Sequence, residues 1–354
     1  MTGRLFIHAS NVHQGGGKLL LLQLLGQMNA NWEAVLCLDE RMTLPVGRIE
    51  GLVCRVKPQV VQRFLAELWL RRKVTADDAV LCFGNLPPLF RLRGHVTVFV
   101  QNRYLIDKVD LAAFSWKTRL RLVLERIWLR RTLSNANEFV VQTPSMQRLL
   151  SAYTDAPVRV LPFIRQHETY TRTLHVDKPG RKPLFDFLYV ASGEPHKNHR
   201  KLIEAWCILA EEGLFPTLTL TLDKAGFPAL CAWLDQKIAQ CGLNIITKGA
   251  LSHEQVLECY AEAGALIFPS TIESFGLPLI EARQAGLPIL ASELDYVRDA
   301  IDPEQTFDPQ SAVSIARAVK RHLQHEEAPL PLQGAATFLN HVVERAGYSA
   351  NSHR

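Results

Sequence analysis

The sequence has no run of about 20 apolar residues, the length a helix needs to cross a bilayer. Its opening apolar stretch, Arg4 to Ala9, is too short for the core of a secretory leader and runs into a glycine loop. The expected compartment is a reducing cytoplasm, with peripheral attachment to the inner face of the cytoplasmic membrane as an option. Cysteine is sparse, seven in all, at 37, 54, 82, 207, 231, 241 and 259, with no CxxC pair. That excludes a zinc ribbon and a disulfide scaffold, and leaves reduced thiols packed in apolar runs. The twelve histidines are scattered without metal-ligand spacing, so the metal expectation is none. Low-complexity tracts and internal repeats are missing. So is any dominant charge: 40 basic and 35 acidic residues leave a net +5. Such a balance suits anionic ligands or an anionic membrane face without demanding nucleic acid.

What is there is a globular chain of 354 residues, 47 % hydrophobic, long enough for about two domains. Short apolar runs alternate with helical stretches. In the first half, strands are expected at Leu5 to Ala9, Ala34 to Leu38, Ala79 to Phe83, Val96 to Val100 and Glu138 to Gln142. Helices are expected at Lys18 to Met28, Val60 to Val74, Phe114 to Leu133 and Ser145 to Ala152. Residues 163 to 185, with Pro179, Gly180 and Pro183, lack this pattern and read as a linker. Strands resume at Asp186 to Val190, Thr217 to Leu222, Asn244 to Thr247, Ala265 to Phe268 and Pro288 to Ala291. Helices fall near 199–211, 227–241, 253–263, 277–286, 293–300 and 312–324. The expected class is α/β, two Rossmann-like, doubly wound parallel-sheet domains facing a cleft. Their limits are 1–163 and 186–330, joined by a linker at 164–185 and followed by a C-terminal helical segment at 331–354.

The chain is organised around Phe268-Pro-Ser-Thr-Ile-Glu-Ser-Phe-Gly-Leu-Pro-Leu-Ile-Glu-Ala282. A buried strand ends at Phe268, and a helix with Pro278 in its first turn follows Gly276. The amides of Phe275, Gly276 and Leu277 then point out of a helix N-terminus, a ready anion site, with Glu273 and Glu281 on either side. An anion site bracketed by acids suits a ligand carrying both phosphate and hydroxyl groups, such as a nucleotide sugar. Three other stretches leave strands and enter helices or turns. Ser10-Asn-Val-His-Gln-Gly-Gly-Gly-Lys18 is a glycine loop, neither a Walker A loop nor GxGxxG; Gly15, Gly16 and Gly17 let a ligand approach the backbone. Tyr189-Val-Ala-Ser-Gly-Glu-Pro-His-Lys-Asn198 places Lys197 beside a helix start, where a cation can neutralise a leaving phosphate. Val98-Phe-Val-Gln-Asn-Arg103 offers Gln101 and Asn102 as hydroxyl partners that take no proton near neutral pH, or as strand-end caps.

The segment Trp116 to Arg131 is the most basic, and Trp69-Leu-Arg-Arg-Lys73 is a second basic-aromatic run. Leu120, Val123, Leu124 and Ile127 share one helical face. Either that face meets the core and the charges are solvated, or the helix docks on an anionic membrane surface.

Glu273-x7-Glu281 with Phe-Gly-Leu-Pro inside, then Ala282 and Gly286-Leu-Pro-Ile-Leu-Ala-Ser292, resembles the C-terminal signature of the retaining GT-B glycosyltransferases of family 4, glycosyltransferase group 1. The resemblance implies transfer of a hexose-type sugar, with retention, from a UDP- or GDP-sugar to a glycan or lipid-linked glycan acceptor of the O-antigen, lipopolysaccharide core or exopolysaccharide kind. It implies no cofactor and no metal. The catalytic set it implies is Lys197, Glu273 and Asn102. Donor contacts would come from Gly16, Gly17, Ser192, Gly193, Leu251, Ser274, Phe275, Gly276, Leu277 and Glu281. Glu281 would hold the ribose hydroxyls, Glu273 a sugar hydroxyl, and Gly249 to Glu254 the base. The terminal helix would cross back to the first domain. Two departures stand out: Ser192 occupies the place of the family's second cation, leaving Arg200 or Lys18 as substitutes, and Gln101-Asn102 replaces a common histidine. An epimerase of the same fold, and a non-catalytic glycan- or membrane-binding module, are the competing readings.

Overall fold

The computed structural model describes residues 3–28, 33–44, 52–112, 114–163 and 183–325. The first half forms β1 (Leu5–Ala9), α1 (Gly15–Gly26), β2 (Ala34–Asp39), β3 (Leu52–Val56), α2 (Val60–Lys73), β4 (Ala79–Cys82), β5 (His95–Phe99), α3 (Trp116–Thr132), β6 (Glu138–Val141), α4 (Pro144–Ser151) and β7 (Val158–Val160). The second half forms β8 (Phe185–Tyr189), α5 (His199–Glu211), β9 (Leu218–Leu220), α6 (Pro228–Cys241), β10 (Ile245–Thr247), α7 (His253–Glu262), β11 (Ala263–Phe268), α8 (Leu277–Gln284), β12 (Ile289–Ser292), α9 (Asp295–Ala300), β13 (Gln305–Phe307) and α10 (Ala312–His322).

The apolar runs become central strands because a parallel strand covered on both faces must be hydrophobic throughout. β2 is buried at all six positions, and the last four residues of β11 are buried as well. The first sheet runs β3-β2-β1-β4-β5-β6-β7 and the second β10-β9-β8-β11-β12-β13, with parallel pairing throughout the described strands. In both, the chain winds outward one way from the first strand, then returns and winds the other way. The crevice at that reversal, outside the carboxyl ends of the strands, is where such sheets take ligands. It lies between β1 and β4 in one sheet, and between β8 and β11 in the other.

Three strands escape the sequence expectation: β3, β7 and β13. The expected linker falls largely, and the crossing terminal helix wholly, outside the described residues. All seven cysteines are free thiols, four of them buried. Among the described residues no helix is long and apolar enough to cross a membrane. For α3 the structure decides against the core-facing alternative. Leu122, Leu129 and Thr132 face the core, whereas Leu120, Val123, Leu124 and Ile127 are exposed.

Candidate active site at the cleft between the sheets

Both reversal points open onto one cavity of about 320 Å³. The first domain contributes Asn11, Val12, Gln14 and Gly17 after β1, Asn85 after β4, and Gln101 to Tyr104 after β5. The second contributes His196 after β8 and Ile272, Glu273 and Ser274 after β11.

Two loops of the second domain are tied together at its floor. Asn198 adopts the left-handed conformation, and its side-chain amide donates to the carbonyls of Pro269 and Pro309 at 3.0 and 2.8 Å. The Thr271 amide donates to the His196 carbonyl at 2.8 Å. The buried Tyr189 hydroxyl donates to the Lys197 carbonyl at 2.5 Å and lies 3.2 Å from the Ser270 hydroxyl. This lattice aims the Lys197 side chain at Glu273, and Nζ donates to Oε1 at 2.6 Å with both groups mostly buried. Lys197 therefore reaches the cavity through Glu273. In this state the cation is neutralised, and a phosphate arriving there competes with Glu273 or shares the ammonium with it.

Beyond Glu273 the chain turns into α8. Gly276 caps the helix in the left-handed region, at φ 70°. A Cβ there would fall 2.9 Å from Leu279 Cδ1, so neither the torsion nor the space admits a side chain. Among the described residues no hydrogen bond occupies the amides of Phe275, Gly276 and Leu277. They remain an uncompensated positive pole at a helix start. One turn into α8, Glu281 is pinned by the Tyr260 hydroxyl, which donates to Oε2 at 3.1 Å, with His253 Nδ1 3.8 Å from Oε1. Burial pushes its carboxyl up to about 7, and the Tyr260 hydrogen bond offsets part of that rise. Ser252 caps α7 in a reciprocal capping box with Gln255, which sets the 249–254 loop that contains Leu251.

The first domain meets this floor through backbone and side-chain contacts. The Arg103 amide donates to the Ser274 hydroxyl at 2.9 Å. The Arg103 guanidinium grips Asp295 of α9 in a two-pronged pair at 2.8 and 3.0 Å, while its Nε holds Asp107. Asn102 takes the capping role: its side chain accepts from the Tyr104 amide, closing a short turn, and the residue lines the cavity. Gly16 lies so near Leu277 that a Cβ would stand 3.1 Å from Cδ1, and Leu277 packs on the apolar cluster under α1.

Of the sequence-predicted residues, Gly17, Asn102, Glu273 and Ser274 line the cavity itself. Lys197 touches it through Glu273, and Gly16 abuts Leu277. Ser192 turns to the Glu194 carboxylate. Gly193 backs onto Phe227, where a Cβ would sit 2.4 Å from the ring, so close packing accounts for that glycine. Neither proposed substitute for the missing cation is turned to this place: Arg200 stacks 4.6 Å over the Trp233 ring, and Lys18 donates to Thr43. Sequence reasoning missed Asn11, Asn85 and Tyr104. Asn85 accepts from the amides of Gln101 and Asn102 at 2.6 and 2.8 Å, from a left-handed backbone at φ 71°. An Asn before Leu-Pro-Pro just after a strand was the available signal. His196 packs edge-on against Tyr104, and burial holds it below the ordinary imidazole value, so it stands neutral in the lining.

Residues 172–336 match the family model for glycosyl transferases group 1. The chain is 32 % identical over 141 residues to a serotype-specific mannosyltransferase, WbdA, of Escherichia coli; the aligned stretch is 38 % of this chain and 17 % of that protein. The chain thus spans less than a fifth of that relative's length. Among solved structures, Anabaena HepE in complex with UDP and glucose superposes with a TM-score of 0.66 at 15 % identity, covering 92 % of this chain and 90 % of that one. The lipopolysaccharide outer core galactosyltransferase WaaB gives 0.60 at 16 % identity, covering 97 % and 95 %. The resemblance to group 1 glycosyltransferases therefore holds through the second domain, and the GT-B fold through both domains.

Proposed function

We propose that this protein is a retaining glycosyltransferase that moves a hexose from a nucleoside-diphosphate sugar to a glycan or lipid-linked glycan, without a metal ion. One observation carries this reading: the reversal points of two Rossmann-like sheets share a single cavity, walled on its second-domain side by His196, Glu273 and Ser274, with Lys197 bonded to Glu273 and the start of α8 following Ser274 in the chain. A donor laid across α8 would direct its diphosphate to those amides and to Lys197. Its ribose hydroxyls would reach Glu281, and a sugar hydroxyl Glu273. The acceptor hydroxyl attacks the anomeric carbon from the face that the diphosphate leaves, the bond from that carbon to the phosphate oxygen breaks, and the hydroxyl proton passes to the departing phosphate. No side-chain base is needed, which fits Asn102 at a place where relatives often carry histidine. Fixed positive groups aimed at the charge that develops on the leaving group are the largest contribution expected of such a site.

A donor panel begins with mannose donors, after the mannosyltransferase relative, and includes UDP-hexoses. The test is nucleotide release from that panel by the purified protein, with and without EDTA, followed by the anomeric configuration of the product. Lys197→Ala should lower turnover about a hundred- to a thousandfold in a chain that still folds, with a lower melting temperature because the mostly buried Glu273 loses its partner. Turnover at the wild-type level in that variant, or loss of activity in EDTA, would remove the central claim.

A further inference from the structure

The exposed apolar residues of α3, Trp116, Leu120, Val123, Leu124 and Ile127, follow the spacing i, i+4, i+7, i+8, i+11 and are 42–67 % accessible. They form one stripe on the side of the helix opposite the core-facing Leu122, Leu129 and Thr132. Exposed cations border it: Lys117 and Arg121 on one flank, Arg119 and Arg130 on the other, with Arg131 within its width. α2 repeats the design. Val60, Val61, Phe64 and Leu65 are exposed, while Ala66, Glu67 and Leu70 face inward.

The two helices share a sheet face, since Leu70 of α2 and Leu122 and Leu129 of α3 belong to one core cluster. They also grip the same strip of chain. Leu89 donates to Glu67 and the Phe90 ring packs on Phe64, both residues in α2, while Trp128 of α3 donates to the Pro87 carbonyl. Together the helices carry ten Lys and Arg against two Glu, a net +8 where the whole chain is +5. The rest of the protein is therefore net acidic, and the positive charge is concentrated where the apolar surface is. Next to Trp116, Phe114 packs edge-on against Tyr104, a residue of the cleft lining.

We propose that the outward faces of α2 and α3 form a single docking surface for an anionic bilayer, which seats the first domain on lipid with its Trp116 end beside the mouth of the cleft. Apolar side chains enter the headgroup boundary while Lys and Arg at the margins meet acidic headgroups. A protein partner or a second copy would cover the apolar stripe equally well, but the double border of cations would then stay unmatched. The inference does not depend on the sugar chemistry proposed above.

The test is sedimentation of the full chain with phosphatidylcholine vesicles, with and without phosphatidylglycerol. Binding is expected to the anionic vesicles and to weaken with salt. Leu120→Asp with Leu124→Asp, and separately Val60→Asp with Val61→Asp, both exposed pairs, should each reduce the bound fraction roughly tenfold or more, at an unchanged melting temperature. Arg119→Glu with Arg121→Glu should do the same at low salt and little at high salt. Failure to sediment with anionic vesicles overturns the proposal. So does a dimer, seen by light scattering, that the Asp pairs disperse. Vesicle binding by a chain ending at His325 but not by the full chain would show that residues 326–354 cover this face, which also overturns it.

Discussion

At the scale of single residues, Glu281 holds the most readable chemistry. Its carboxyl is raised to about 7 by burial, against 4.5 for an unhindered glutamate. A raised carboxyl pKa means that the folded chain keeps its proton longer than the unfolded one. Stability is therefore lost as pH climbs from about 4.5 through 7, by an amount on the order of 3 kcal/mol at pH 8. Glu281→Gln removes that loss, so its melting temperature should exceed that of the wild type at pH 8 and equal it at pH 5. Activity should move the opposite way. The ionised carboxylate can accept from two ribose hydroxyls, so donor kcat/KM should fall as pH drops through about 7. In Glu281→Gln it should be low at every pH. A flat wild-type profile between pH 6 and 8, measured at saturating acceptor, would break the link between this carboxylate and the donor. The meeting of Lys197 with Glu273 was legible in the sequence because both follow the carboxyl ends of strands, β8 and β11, that pair as neighbours, whereas Glu281 lies in α8 outside the cavity lining. Asn11, Asn85 and Tyr104 were not legible, because their place depends on which strands become neighbours across the reversal point.

At the scale of elements, the loop from Phe268 to Gly276 joins a strand to a helix through one residue with no freedom to change. Gly276→Ala should cost about 1–3 kcal/mol from the positive φ and disturb Leu279 as well. Thermal melting would register the cost, and donor KM should rise because the amides of 275–277 lose their common direction. An unaltered melting temperature would mean that the turn is softer than its torsion implies. The central strands could be read from sequence as apolar runs. The strands that escaped are edges of their sheets: β3 and β7 border the first, β13 the second. An edge strand is covered less completely, so Leu52-Val-Cys-Arg-Val56 and Val158-Arg-Val160 carry no continuous apolar signal. α3 shows another limit. It bears apolar residues on opposite faces, and periodicity alone does not say which face meets the sheet.

At the scale of the molecule, polar contacts among the described residues join the two domains across the cavity. Arg103 joins Ser274 and Asp295, and the Ser145 amide at the start of α4 donates to Asp299 at 2.9 Å. Arg103→Ala leaves the Asp295 carboxylate without its partner. It should shift the population toward a wider cleft, seen as a larger radius of gyration in solution scattering and a several-fold higher KM for donor, with less change in kcat. An unchanged radius and KM would assign the closed form to the remaining contacts. Among these is Leu277, a second-domain side chain resting on the apolar cluster of the first. Each swing of the domains apart must wet that leucine and the surface beneath it. Separation thus carries a positive heat capacity, and the seal weakens on cooling as hydrophobic contacts do. The balance between shut and gaping molecules should respond to temperature with curvature, which a hinge held by charge alone would lack.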